Sequence, residues 1–288
     1  MTAAVAFVTC SRIPDLEDDD RLTFEPLAAL DIVAESAVWD DPDVDWGRFD
    51  LVVLRSPWDY SLRRDEFVAW AHTVPRLAND AVTIGWNTDK RYLAELAAAG
   101  VSVVPTTWVS PGETWAPPSG GEWVIKPAIS AGSVDTGRYD MTDETHREHA
   151  IAHVARLSAA GRVTMIQPYI EAVDSYGETA LIFIGGVYSH AIRKGPLLDG
   201  PDFGVVGLYK EEAITAREPT PAEQALAAHV LSALPRHVNA SLYARVDVVP
   251  GADGRPMLIE LELTEPSLFF EHGPGSPARF AAAIASAI

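Results

Sequence analysis

Two glutamates on one short strand near the end of the chain offer the clearest chemistry in the sequence. In the predicted strand 257–263 side chains alternate between two faces, so Glu260 and Glu262 lie on the same face. Leu258 is expected to share that face, and Ile259 to point into the core with the leucines that flank the glutamates. Carboxylates held side by side repel each other and need a cation, so this strand is a candidate cation site.

The neighbouring strand, predicted over 242–249, adds a third carboxylate. If the two strands form a hairpin, Asp247 lies beside Glu260 and Glu262. Hard divalent cations such as Mg²⁺ bind oxygen ligands, so three carboxylates on one sheet face predict a magnesium site. The alternative is an ordinary polar sheet face, on which a basic residue such as Arg245 neutralises the acidic groups.

A second set of residues could bind phosphate. An apolar strand ends at Lys126, and a loop of small and hydroxyl-bearing residues follows it. The lysine supplies positive charge, glycines let backbone N–H groups approach an anion, and hydroxyls add donors. The loop residues expected to do this are Ser130, Gly132, Ser133, Thr136 and Gly137. The order differs from the Walker motif, in which the lysine follows the glycines.

Two further candidates lie in the first half of the chain. After the buried strand 51–54, Arg55 could pair with a carboxylate, while Trp58 could wall an organic substrate; the alternative is a Pro-Trp turn that packs onto the lobe. Lys90 is expected in the first turn of a helix over 88–99, which Asn87 caps. A cation there opposes the helix dipole, so Lys90 is either an exposed surface residue or serves a ligand.

The elements that position these residues form three lobes. In the first, strands at 4–9, 37–39 and 51–54 alternate with helices at 24–35 and 62–77, which predicts a parallel α/β sheet with ligands at the carboxyl ends of its strands. Two α+β lobes are predicted to follow it. The predicted boundaries are 1–86 for the N-terminal α/β lobe, 87–166 for the central lobe and 167–288 for the C-terminal lobe with the metal site.

The C-terminal lobe is predicted to be mostly β. Gly185 and Gly186 predict a type I′ hairpin between strands at 178–184 and 187–194. A Gly- and Pro-containing loop at 199–207 is expected to be a mobile flap.

The composition excludes several classes of protein. With 41 acidic and 22 basic residues the net charge is −19, which repels nucleic acid and anionic membranes. No apolar run is long enough to span a membrane, and the N-terminus lacks the basic region of a signal peptide. The single cysteine, Cys10, excludes an internal disulfide, so a cytoplasmic protein is expected. The acidic run 15–20 is interpreted as a solvated loop.

The order of these residues resembles the ATP-grasp superfamily, in the branch of glutathione-synthetase-like and ribosomal-modification-type ligases. A helix-start lysine, a strand-end lysine with its loop, a hinge at 167–170, a strand arginine (Arg193) and a closing Asp…Glu-x-Glu follow one another. The resemblance covers about residue 87 to the C-terminus, with a compatible α/β lobe before it. It implies two α+β lobes that clasp ATP.

The resemblance also implies a role for each residue. Adenine would lie against the hinge residues Gln167, Tyr169 and Ile170, and Asp174 or Glu178 would contact the ribose. The residues implied for the phosphates are Lys90, Lys126, Ser130, Gly132 and Ser133. Those implied for Mg²⁺, or Mn²⁺ in its place, are Asp247, Glu260 and Glu262.

The implied activity is ATP-dependent carboxylate–amine ligation through an acyl phosphate. Phosphorylation makes an anhydride that an amine can attack, and the protein supplies mainly positioning and charge neutralisation. Arg193 and Lys126 would be catalytic, with Arg193 stabilising the acyl phosphate. Many members carry asparagine where this chain has Glu262, which leaves the acceptor-side loop open, and His190 and His272 are interpreted as structural. The alternatives are a kinase or phosphotransferase on the same platform, and a non-catalytic nucleotide-binding module.

The substrate side resembles the small single-chain ligases that include the D-cycloserine-forming cyclo-ligase. The segments 55–60, 260–262 and 265–269 carry this resemblance. It implies a small amino-acid-derived substrate, joined to an amine or cyclised on itself. The implied substrate residues are Arg55, Ser56, Trp58, Asp59, Glu265 and Ser267. A homo-oligomer, either a dimer or a tetramer, is a further expectation.

The loop 130–137 is predicted to be mobile without nucleotide and ordered with it. ATP should therefore slow hydrogen exchange of the loop amides, because bound phosphates hold the backbone N–H groups. Exchange measured by mass spectrometry with and without ATP tests this. Equal protection in both states contradicts it.

Overall fold

The computed structural model describes residues 2–202 and 213–288. Its strands β1 to β12 are Ala3–Thr9, Ile32–Val38, Leu51–Ser56, Thr107–Val109, Glu122–Pro127, Gly137–Asp140, Thr164–Pro168, Glu178–Ile184, Val187–Lys194, Ile214–Arg217, Tyr243–Pro250 and Pro256–Glu262. Its helices α1 to α9 are Asp18–Arg21, Phe24–Ala28, Arg64–Ala71, Ala81–Asn87, Tyr92–Ala98, Glu144–Ala159, Ala172–Ser175, Pro221–Ser232 and Ser276–Ala287. No helix within the described ranges is long and apolar enough to cross a membrane. The flap predicted at 199–207 lies partly outside the described residues.

The first sheet is parallel, as predicted, with strand order β2-β1-β3. Every residue of β3 is buried, as its continuous apolar sequence predicted. The helix predicted over 24–35 is wrong in its second half, because α2 ends at Ala28 and β2 begins at Ile32. Asp31 between them adopts a left-handed conformation (φ 59°), which interrupts the helical turn. Helix α3 is also shorter than the predicted 62–77.

The described strands of the other two sheets are antiparallel. The second sheet has the order β4-β7-β5-β6, and the third has the order β10-β9-β8-β11-β12. Gly185 and Gly186 join β8 to β9 with φ of 58° and 75°, so the predicted hairpin is confirmed. Helix α6 packs on the second sheet and α8 on the third, and the space between these two sheets holds the site described below.

The helix predicted over 88–99 is present as α5, but it starts four residues later than predicted and Asn87 does not cap it. Helix α4 ends at Asn87, and α5 begins after a short connection that contains Lys90. The Asn87 side chain donates to the Leu261 carbonyl (2.8 Å) and accepts from the Leu263 N–H (2.7 Å). It is therefore tied to the end of β12 and not to the start of a helix, and it fixes the connection that carries Lys90.

Asn79 links the first lobe to the third sheet. Its buried side chain donates to the Tyr243 and Leu263 carbonyls, both at 2.8 Å, and accepts from the Leu242 N–H at 3.1 Å. Asn79 has φ of 51°, which asparagine tolerates better than most residues. One apolar cluster also crosses this contact, from β1 and β3 to β8, β9 and α9. The domain boundaries after 86 and 166 stay predictions.

Asn79→Ala should lower the free energy of unfolding by roughly 2–4 kcal/mol, because each buried backbone group left without a partner costs about 1–3 kcal/mol. Urea unfolding followed by tryptophan fluorescence measures the change. Asn239→Ala is the matched control, since Asn239 is exposed and bonds to Thr83 through its backbone. A variant at Asn79 as stable as this control would contradict the link.

Candidate active site

A cavity of about 500 Å³ lies between the second and third sheets, and the first lobe closes one end of it. The predicted site residues that line it are Arg55, Trp58, Lys90, Lys126, Ser130, Gly132, Ser133, Gln167, Tyr169, Ile170, Glu178, Glu260, Glu262, Glu265 and Ser267. Those that do not line it are Ser56, Asp59, Asp174, Arg193 and Asp247. Residues far apart in the sequence thus meet at one cavity. Five of the predicted site residues do not line it, and their positions are described below.

Lys90 connects the phosphate loop to the acidic strand. Its ammonium group donates to the Ser130 carbonyl (2.7 Å) and lies 3.2 Å from a Glu260 oxygen. The Lys90 N–H donates to the Ala128 carbonyl (2.9 Å), so backbone and side chain both bind the segment after Lys126. Burial lowers the pKa of the Lys126 ammonium beside it, and the neighbouring Lys90 charge adds to this effect. The two lysines form a positively charged corner of the cavity. Because burial removes their charges from water, a bound anion would stabilise them.

The phosphate loop is held in an unusual backbone conformation. Gly132, Ser133 and Asp135 all have φ between 56° and 59°, which is costly for the two residues that are not glycine. The Asp135 carboxylate accepts from Arg156 (2.5 Å) and from Arg162 behind the loop. These ion pairs hold the loop against α6, and Ser130, Gly132 and Ser133 then face the cavity.

The acidic hairpin forms in the predicted register but with a bulge. Asp247 lies opposite Glu260, as predicted. The next pair is Val248 with Leu258, so Ile259 is an extra residue between the two pairs. The bulge reverses the alternation on one side: Leu258 is in the core, whereas Ile259 lines the cavity next to Glu260. The faces predicted for these two apolar residues are therefore wrong.

Basic residues neutralise part of this acidic face, as in the alternative interpretation. Arg245 donates to Asp247 (2.9 Å) and to Glu262. The Lys194 ammonium lies 3.4 Å from Asp247 and 3.4 Å from Glu178. Asp247 lies on the same face of the sheet as Glu260, but it is 1% exposed and does not itself line the cavity, because it is paired with Arg245 and Lys194, which do.

Burial and charge act differently on the two glutamates. Burial works to raise the pKa of Glu260, yet the Lys90 and Lys126 ammonium groups outweigh it and lower the pKa to about 2. Burial raises the pKa of Glu262 to about 8 in spite of the Arg245 guanidinium, and repulsion from Glu260 adds to the increase. Glu262 is therefore a carboxylate with too little positive charge around it, a deficit that a divalent cation corrects.

The donor chemistry of the cavity fits Mg²⁺ at Glu260 and Glu262. Both offer hard oxygen ligands, and both line the cavity next to the lysine corner. A second acidic cluster, outside the predicted set, brings ligand atoms of Asp135, His153 and Asp202 within 4.8 Å of one another. Its carboxylates already pair with arginines, Asp135 and Asp202 both with Arg156. This second cluster is an ion-pair network.

The hinge forms an apolar slot at the other end of the cavity. The slot is lined by Val104, Gln167, Tyr169, Ile170, Val173 and Ile259. A flat, mostly apolar slot with one amide side chain is suited to a purine base. Of the two residues expected at the ribose, Glu178 lines the cavity. Asp174 instead accepts from Arg138 (3.1 Å) and from the Tyr169 hydroxyl (2.5 Å) outside it.

The structure contradicts the position expected for Arg193. Its guanidinium donates to the Tyr176 carbonyl (2.7 Å) and the Ser175 carbonyl (3.1 Å), on the face of β9 opposite the cavity. Successive residues of a strand point to opposite faces, so the next residue, Lys194, lines the cavity. The Gly185-Gly186 hairpin alone would pair Glu178 with Arg193. A bulge at Ser189, between the pairs Phe183–Tyr188 and Ile182–His190, shifts the pairing by one residue and sets Lys194 opposite Glu178.

The substrate-side residues are arranged differently from the expectation. Arg55 is 1% exposed and donates to Asp20 (2.8 Å) and to the Pro266 carbonyl (2.9 Å), so its partner is a carboxylate of the chain. The run 15–20 is therefore not simply a solvated loop. Asp19 accepts from the Phe270 and Glu271 N–H groups, at 2.9 and 3.0 Å, which ties this run to the C-terminal lobe.

Three further residues of this region pack inside the protein. Ser56 shares a hydrogen bond with Thr9 (2.9 Å), and Asp59 accepts from the Trp39 indole N–H (2.9 Å), so neither reaches the cavity. His190 is buried with Nε2 2.8 Å from the Leu268 carbonyl, in agreement with a structural role. The loop 265–269 is held against the first lobe by Arg55 and Trp58, which donate to the Pro266 and Glu265 carbonyls.

The one-residue shift from Arg193 to Lys194 is testable. Lys194→Met should weaken ATP binding or turnover by about 10-fold or more, because it removes a cation from the cavity. Arg193→Met is the matched control; it can reduce stability but should leave nucleotide affinity within about twofold. Fluorescent-nucleotide titration and steady-state kinetics measure both. A larger loss of affinity at Arg193 than at Lys194 would contradict the assignment.

The chain is similar to proteins of known name over nearly its whole length. Residues 5–79 match the family model of the "D-cycloserine synthetase DcsG, N-terminal domain". The cycloserine biosynthesis protein DcsG of Streptomyces lavendulae is 41% identical over 296 residues, which cover 98% of this chain and 97% of that protein. The crystal structure of D-cycloserine synthetase DcsG superposes with a TM-score of 0.88 at 39% identity, over 99% of both chains.

More distant structures share the fold. A RimK domain ATP-grasp protein from Sphaerobacter thermophilus has a TM-score of 0.66 at 18% identity, over 99% of both chains. D-alanine–D-alanine ligase from Bacillus anthracis has a TM-score of 0.64 at 13% identity, over 99% of this chain and 97% of that one. The ATP-grasp fold predicted from the order of motifs is confirmed. The chain is an enzyme of the ligase type, and it belongs to the D-cycloserine synthetase (DcsG) family of ATP-grasp ligases.

Proposed function

We propose that this ligase closes a small amino-acid derivative into a ring by joining a carboxylate to an amine at the expense of ATP, with D-cycloserine, which its relatives' names give, as the product. The observation that carries the proposal is one cavity lined by three lysines, Lys90, Lys126 and Lys194, and by two half-buried glutamates, Glu260 and Glu262. Such a cavity suits a polyphosphate with a divalent cation. The full-length likeness to a cycloserine biosynthesis protein supports the choice of product.

ATP would lie along the cavity from the hinge to the lysine corner. The slot at Tyr169 and Ile170 would hold adenine, and Glu178 would contact the ribose. Lys90 and Lys126 would bind the phosphates under the loop 130–133. Mg²⁺ held by Glu260 and Glu262 supplies positive charge that neutralises the phosphates.

The chemistry would begin with transfer of the γ-phosphoryl group to the substrate carboxylate. In D-cycloserine the carboxyl carbon is bonded to a nitrogen that the side-chain oxygen carries. Ring closure therefore means attack of an aminooxy nitrogen on the acyl phosphate of the same molecule. A buried cavity favours this reaction over hydrolysis, because it excludes water and holds the reacting atoms together.

Two alternatives make different products. A kinase on the same platform would release a stable phosphorylated compound, and a binding module would release no ADP. We also propose a cytoplasmic location, because the proposed reaction consumes ATP. Assembly into a dimer or tetramer stays a prediction.

A panel of serine-derived and other amino acids, assayed for ADP release with products identified by mass, tests the proposal. We expect ADP release with an aminooxy amino acid and a product lighter than the substrate by one water. Glu260→Gln should reduce this turnover by about 10²-fold or more, because a metal ligand is lost. Glu113→Gln, in the exposed linker, is the control.

A stable phosphorylated product would contradict ligation and favour the kinase. Tight ATP binding without ADP release for any acid would favour the binding module. Unchanged turnover in the Glu260 variant would remove the metal argument.

A further inference from the structure

One carboxylate in the cavity has a neutral partner. Glu265 is 9% exposed and lines the cavity. Its carboxylate accepts a hydrogen bond from the Tyr60 hydroxyl, which is itself buried. The Trp58 indole N–H donates to the backbone carbonyl of Glu265 (3.2 Å). Two aromatic residues of the first lobe thus fix the backbone and the side chain of one acidic residue.

The other well-buried carboxylates that line the cavity have cationic partners. Among the described residues these pairs are Asp20 with Arg55, Glu178 with Lys194, Glu260 with Lys90 and Glu262 with Arg245. The remaining lining carboxylates are Glu17 and Asp19, which are half-buried, and Glu271, which is exposed; Asp19 accepts from two backbone N–H groups. A carboxylate held by a cation is a weak base, because the cation stabilises the anion. Among the described residues Glu265 is the buried lining carboxylate that no ion pair holds, and unlike Glu262 it is not a candidate metal ligand.

Glu265 lies beside the corner where phosphate and metal would meet. The charged and titratable groups that face it are Tyr60, Lys90, Tyr243, Arg245, Glu260 and Glu262. It therefore stands between the phosphate end of the cavity and the wall that the first lobe provides. The second reacting group of the substrate must approach from this wall, since the opposite end holds the hinge slot.

We propose that Glu265 is the base that takes the proton from the nitrogen attacking the acyl phosphate, with Tyr60 as the residue that positions it. This inference rests on the proposed ligation. Burial raises the pKa of Glu265 to about 7, while the Tyr60 hydrogen bond works to lower it. A base with a pKa near the working pH is ionised often enough to act and still binds a proton well.

The proton passes from the nitrogen through Glu265 to the phosphate. The nitrogen lone pair forms the C–N bond, and the N–H proton passes to a Glu265 oxygen. The acyl C–O bond then breaks, and its electron pair leaves on the phosphate. Glu265 returns its proton to the departing phosphate, so phosphate leaves as its monohydrogen form and the carboxylate is restored.

The test compares two partial reactions in the Mg²⁺- and ATP-loaded enzyme with the aminooxy substrate. Glu265→Gln should slow product formation in a single turnover by about 10²–10⁴-fold, the usual range for a general base. Positional isotope exchange in ATP, which reports reversible acyl-phosphate formation, should persist. Glu265→Asp keeps a carboxylate and should recover part of the rate.

The pH profile adds a signature that a structural role would not move. In the wild type the rate should fall as pH drops through the pKa of Glu265, because the base becomes protonated. Tyr60→Phe should move this fall to higher pH, since the hydroxyl stabilises the anion, and Glu265→Gln should abolish it. Thermal unfolding and ATP affinity check that each variant is folded.

Product formation at the wild-type rate in Glu265→Gln, or an unchanged fall at low pH in that variant, overturns the inference. Loss of isotope exchange together with product formation also overturns it, because Glu265 would then act before the nitrogen attacks. Failure of the proposed function looks different: the wild-type enzyme itself would then form no ligated product.

Discussion

The ion-paired groups around the cavity are buried together, and each is tolerated there because an opposite charge lies next to it. Removing a charge from water is costly, and a close partner with further hydrogen bonds offsets that cost. Lys90 binds both the loop after β5 and a glutamate on β12. It joins the second and third sheets across the cavity. The relative position of the two lobes therefore depends on the same charges that would hold the nucleotide.

This arrangement would allow a chain with a net charge of −19 to accept the polyphosphate of the proposed reaction. The positive groups are few but converge: Lys90, Lys126 and Lys194 line one cavity, where low dielectric makes their fields strong. Phosphates would relieve the repulsion among the lysines, and a divalent cation would relieve that between the glutamates. Binding of the nucleotide and its cation would therefore reduce both repulsions at once. The surface acidity far from the cavity is screened by salt and opposes binding little.

The sequence could predict those features that local patterns encode. The Gly185-Gly186 hairpin, the pairing of Asp247 with Glu260 and the parallel first sheet follow from residue periodicity and turn chemistry. The order of motifs along the chain led to the fold. These features depend on neighbours in sequence or on one strand pair, so a single chain carries enough information to find them.

Other features depend on contacts that no local pattern records. The bulge at Ile259 reverses the faces of its neighbours because of how β11 and β12 pair. Arg55 is tied to Pro266, a residue 211 positions away, and so cannot serve as a free substrate clamp. Arg193 and Lys194 differ by one residue, which in a strand is the difference between the two faces of a sheet. The sequence motif was enough to predict Glu265 as a site residue. Its contact with Tyr60 joins two distant parts of the chain, and only the structure shows it.

The central claim is that ATP activates a carboxylate of the substrate in this cavity. The most direct measurement uses an aminooxy amino acid labelled with ¹⁸O in its carboxylate, followed by mass analysis of the phosphate released. An acyl phosphate leaves one labelled oxygen in each phosphate formed during ring closure, and this is the result predicted. Unlabelled phosphate accompanying product formation would contradict the account.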